Sequence, residues 1–92
     1  MAEGTSDVNT LRSTLTQARG RTEKAGSGIA TALNENAAAM AFTQQAVGAI
    51  HTNNTLMKDA AAELAQQKAL LEQAAALGAS AIGKINSYNT SL

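Results

Sequence analysis

The sequence predicts an all-α fold: an elongated helical hairpin with heptad-like, alanine-rich packing, either kinked or split into three helices near residues 26–28. Three observations carry this expectation. A sevenfold ladder runs along the chain as Val8, Leu15, Thr22, Ile29, Asn36, Thr43, Ile50, Met57, Leu64, Leu71, Gly78 and Ile85, a spacing that keeps residues on one face of a helix. A second ladder lies three residues further on, as Leu11, Ala18, Ala25, Ala32, Ala39, Ala46, Asn53, Ala60, Gln67, Ala74, Ala81 and Tyr88, with alanine at eight of its twelve positions. Alanine, the best helix former, contributes 21 of 92 residues and proline none, so long helices are favoured and nothing stops them sharply.

Residues 1–5 are polar, include Gly4 and read as a flexible N-terminal tail. Residues 6–88 are expected to form a single helical domain. Ser6 or Asp7 suits the cap of its first helix, and Asp7 also complements the positive helix end. Arg19 and Glu23 stand four apart, where an ion pair on the wet side contributes about 0.3 kcal/mol.

Gly26-Ser27-Gly28 is a weak point, because each glycine costs about 1 kcal/mol in a helix interior relative to alanine. The ladder nevertheless keeps its phase across it, so a continuous helix and a loop dividing three helices both remain open. The expected turn lies near 51–54, where His51-Thr52-Asn53-Asn54 interrupts the apolar pattern with residues that compete for backbone hydrogen bonds. A second helix is expected from about Leu56 through Ile85, with residues 89–92 as a frayed C-terminus. The rival layout is one continuous rod of about 80 residues, some 120 Å long at 1.5 Å per residue. The polar interruption and the widening of the apolar face by Leu33, Met40 and Val47 favour the hairpin.

Seven basic and seven acidic residues cancel, leaving neither a basic field for a nucleic-acid backbone nor an acidic tail for a basic partner. The one basic cluster, Arg12, Arg19, Arg21 and Lys24, has no aromatic platform beside it, so it reads as a solvated flank and neither nucleic acid nor membrane is expected as a partner. Between Ala25 and Met57 the single side chain ionised at neutral pH, His51 aside, is Glu35. That stretch is therefore weakly solvated and suited to being covered.

No catalytic, cofactor-binding or metal-binding residue is expected. His51 is the sole histidine and has no Cys, Asp or Glu within four residues, and the chain has no cysteine at all. Asp59 and Glu63 share a helix face but lack the Glu-x-x-His element of a carboxylate metal site. The glycines from Gly20 to Gly28 lack the glycine-lysine-serine order of a phosphate loop. Without a nucleophile and base at workable spacing, an enzyme is not expected.

The expected function is a non-enzymatic structural or assembly subunit that forms helical homo-oligomers, with Ala32, Ala39, Phe42, Ala46 and Val47 at the interface between copies. The alternative is a helical adaptor, chaperone-like or leaderless exported protein that completes its core with a different protein. The first ten residues contain no Lys or Arg and no apolar run, so a cytoplasmic location is the default expectation, with leaderless export left open. In length, helicity and a bend near its middle, the chain resembles the small secreted helical hairpins of the WXG family, and that outline implies dimers handled by a dedicated export machine. It departs from them in having no tryptophan for the Trp-x-Gly turn and no acidic residue after Tyr88, so no family is assigned.

Overall fold

The computed structural model describes the backbone of residues 2–49 and 55–92 and the side chains of 7–48 and 55–92. His51 and the expected turn at 51–54 lie outside the described residues. The fold is all-α and hairpin-like: α1 spans Ala2–Ala49 and α2 spans Thr55–Ser91. Both helices reach beyond the expected outer limits, since α1 takes in residues 2–5 and α2 continues past Ile85 to Ser91. At the far end Ser91 Oγ donates to the Tyr88 carbonyl at 2.7 Å and the Leu92 amide to the Asn89 carbonyl at 3.3 Å, which satisfies carbonyls of the last turn.

The alternative of a loop at 26–28 is corrected. α1 runs through Gly26-Ser27-Gly28 without interruption, and neither glycine has a positive φ or any atom within 4 Å of where a Cβ would sit. The local penalty of two glycines is thus outweighed by the helix propagating from both sides. Threonines inside the helices bond their hydroxyls back to the carbonyl one turn earlier: Thr14 to Thr10 at 3.0 Å, Thr22 to Ala18 at 2.8 Å, Thr43 to Ala39 at 2.7 Å and Thr90 to Asn86 at 2.8 Å. This is how Thr22 and Thr43 occupy ladder positions without leaving a hydroxyl unsatisfied.

The chain divides into two compact units, each made of a segment of α1 beside a segment of α2. Unit 1 comprises Met1–Gly28 with Ala76–Leu92, and unit 2 comprises Ile29–Ala75. In unit 1, Arg19 Nη1 donates to Asn86 Oδ1 at 3.5 Å, and the Thr22 methyl lies 3.9 Å from the place a Cβ on Gly78 would take. Advance along α1 is retreat along α2, so the two segments are antiparallel. In unit 2, Asn36 Nδ2 donates to the Leu64 carbonyl at 3.0 Å and to Gln67 Oε1 at 2.9 Å. Contacts between residues so far apart in sequence within one chain exclude the single rod.

No hydrophobic residue is buried among the described residues. Two helices side by side can shield one stripe each but cannot enclose it. The first ladder lies on that stripe: Leu15, Thr22, Ile29, Thr43, Met57, Leu64, Leu71, Gly78 and Ile85 are half-buried and Asn36 is buried. The alanine ladder does not follow it throughout, because Ala18, Ala25, Ala74 and Ala81 are exposed. On α2 the shielded flank moves instead to the positions four after the ladder, at Ala75, Ile82 and Asn89. The cause is helical pitch: at 3.6 residues per turn an α-helix drifts about 20° per heptad from an ideal sevenfold seam.

Candidate functional site

All five residues expected at an interface stand on the part of α1 that belongs to unit 2. Ala32, Ala39, Ala46 and Val47 are half-buried by the chain itself, whereas Phe42 is 70% exposed. Phe42 projects on the flank one turn beyond Ala38, which is also exposed. On α2, unit 2 leaves Leu56 and Leu70 in water at 79% and 62% exposure.

Between the two helices of unit 2 runs a groove of ≈ 530 Å³, lined by Ala32, Glu35, Asn36 and Ala39 from α1 and by Gln67 and Leu71 from α2. Ala32 and Ala39 supply low walls because a methyl group is all they carry. Asn36 is 4% exposed and is the one buried residue among those described. Its orientation is dictated by its partner: a backbone carbonyl at Leu64 can only accept, so the amide must turn Nδ2 toward it. The second Nδ2 proton goes to Gln67 Oε1, and Asn36 Oδ1 is left buried without a hydrogen-bond partner. A buried acceptor in that condition costs about 1–3 kcal/mol.

This polar contact is what reading the sequence for apolar stripes misses, although its two members stand out there. Asn36 interrupts the first ladder and Gln67 interrupts the second, and the fold brings the two interruptions together.

A smaller groove in unit 1, ≈ 360 Å³, lies along α1 and is lined by Gln17, Gly20, Arg21 and Lys24. Within the same basic cluster Arg19 is engaged by Glu23, with Nε 3.4 Å from Oε1, as the spacing of four predicts. Both side chains are well exposed, so the pair contributes a few tenths of a kcal/mol at about 0.3–0.5. Among the described residues no group of three or more His, Cys, Asp or Glu is placed to hold a metal ion, and no helix is long and apolar enough to cross a membrane.

The candidate site is a surface: the exposed flank of α1 around Phe42 beside a groove floored by Asn36. Comparison with known protein families, with characterised proteins and with solved structures finds no match to this chain.

Proposed function

We propose that this chain is a structural or assembly subunit that forms helical homo-oligomers, with unit 2 of one copy covered by unit 2 of another around Phe42. The observation that carries the reading is that no described hydrophobic residue is buried while Phe42, Leu56 and Leu70 remain largely in water. Covering a side chain of this kind contributes about 1.5–3 kcal/mol. The α1 side of this face is also cheap to desolvate, since Glu35 is the single charged residue on the part of α1 within unit 2.

The test is sedimentation equilibrium of the pure chain from low to high micromolar concentration, alongside Phe42→Glu. Because Phe42 is exposed, that substitution leaves the helices intact and is expected to shift the mass toward monomer. A wild-type chain that stays monomeric throughout defeats homo-oligomerisation and transfers the exposed face to a different protein partner, the adaptor reading.

A further inference from the structure

The first ladder has a weakness as a guide to pairing. Its members are seven residues apart on both helices, so sliding α2 of unit 2 along α1 by seven residues, roughly 10 Å, places one ladder residue where another stood. Met57, Leu64 and Leu71 are all large and apolar, and they exchange with little loss of contact. The apolar pattern alone therefore leaves several pairings close in energy.

Asn36 and Gln67 remove that degeneracy. Any register offers the buried Asn36 amide a backbone carbonyl, but the second acceptor comes from a side chain three residues further along α2. At that offset the chain has Ala60 after Met57, Gln67 after Leu64 and Ala74 after Leu71, so only the observed pairing supplies an acceptor. A slid pairing would leave a buried N–H unsatisfied, which disfavours it roughly ten- to a hundredfold. The unpartnered Asn36 Oδ1 lowers the stability of every pairing alike and does not select among them.

We propose that Asn36 and Gln67 form a register lock, a part-buried polar contact that holds α1 and α2 of unit 2 in one of several sevenfold-related pairings. A single polar residue in an apolar helical seam is a recognised means of fixing register at a cost in stability.

The chain contains no cysteine, so spin labels can be placed on cysteines introduced at Ala30 and Lys58, both exposed in unit 2. Pulsed dipolar spectroscopy, with the labelled chain diluted in unlabelled chain, then reads the distance along the pair. The wild type is expected to give one narrow population. Asn36→Leu with Gln67→Leu, still helical by circular dichroism, is expected to give a second population displaced by several ångströms, up to the roughly 10 Å of one heptad. Adding Thr43→Asn with Ala60→Gln, which rebuilds the contact one heptad away in the same register, should restore the single population. If the leucine pair costs the chain its helical signal, Gln67→Leu alone, at an exposed position, is judged by the same criterion. A single unchanged population in the folded variant, or a second population that the rebuilt contact does not remove, overturns the lock.

Discussion

In unit 2 each ladder residue of α1 is followed, three and four positions on, by an alanine and then a large apolar side chain. These are Ala32 and Leu33 after Ile29, Ala39 and Met40 after Asn36, and Ala46 and Val47 after Thr43, and all six are half-buried. In unit 1 the same offsets hold Ala18 and Arg19 after Leu15, and Ala25 and Gly26 after Thr22, and all four are exposed. The ladder is common to both units, but the fourth residue after it differs. An alanine brings too little area to hold a contact by itself, and on α1 it is shielded where a larger neighbour widens the stripe beside it.

The largest way to break this contrast acts on the single buried side chain. Asn36→Asp keeps the shape but places an ionised carboxylate against the Leu64 carbonyl, which can only accept and so repels it, and obliges Gln67 to turn its amide and donate instead. A loss of about 3–5 kcal/mol is expected, read as a fall in the thermal midpoint at neutral pH. The sign with pH follows from burial, which raises the folded-state pKa of the introduced acid above its unfolded value of about 3.9. The folded chain then binds the proton more tightly, so the deficit relative to wild type shrinks as pH falls through the raised pKa and is smallest below about 3.9. A deficit that does not change with pH would show that the site is open to water.

A smaller break tests the fourth-position rule directly. Met40→Ala removes a half-buried side chain that flanks Asn36 and is expected to cost about 1–2 kcal/mol, less than the 2–5 kcal/mol of a fully enclosed methionine. Hydrogen exchange should accelerate in unit 2 amides more than in those of unit 1. Equal acceleration in both would mean that the units do not differ in what holds them.

How much of this was legible in the residues follows the same division. The ladder predicts two long helices and the residues of their shared face, because period is a property of the chain itself. The outcome at Gly26-Ser27-Gly28 was ambiguous, because a glycine penalty of about 1 kcal/mol is comparable with the gain from helix continuing on either side. The alanine ladder was over-read, because an alanine's burial depends on its neighbour's size and on the drift of the helix face, neither of which spacing reports. The contact of Asn36 with Gln67 requires knowing which residues of the two helices face each other, a tertiary fact that a stripe read along one helix does not contain.

Gly26 offers the converse, an attempt to give unit 1 what unit 2 has. With nothing within 4 Å of its absent Cβ and no positive φ, Gly26→Ala is expected to stabilise the chain by about 0.5–1 kcal/mol through helix propensity. Gly26→Leu gains the same propensity and also puts a large apolar side chain at the fourth position after Thr22. If the fourth position governs shielding, the leucine variant exceeds the alanine variant in chemical denaturation and slows exchange near Ala25. Equal midpoints for the two would confine the effect to propensity.

The smallest expected effect concerns whether charge takes over in unit 1 the part that apolar flanks play in unit 2. Arg19 and Glu23 are 3.4 Å apart, but their side chains are 44% and 57% exposed, and arginine precedes glutamate, the less favourable order against the helix dipole. Glu23→Gln is therefore expected to change stability by no more than about 0.3 kcal/mol, and less at molar salt, where screening acts over about 3 Å. Arg19 keeps a second partner in Asn86 at 3.5 Å, so its side chain is not stranded by the change. A loss above about 1 kcal/mol that survives high salt would place it outside the range of exposed pairs. In that event a specific ionic contact would stabilise α1 within unit 1, and its polar flank would be a source of helix stability rather than of solubility alone.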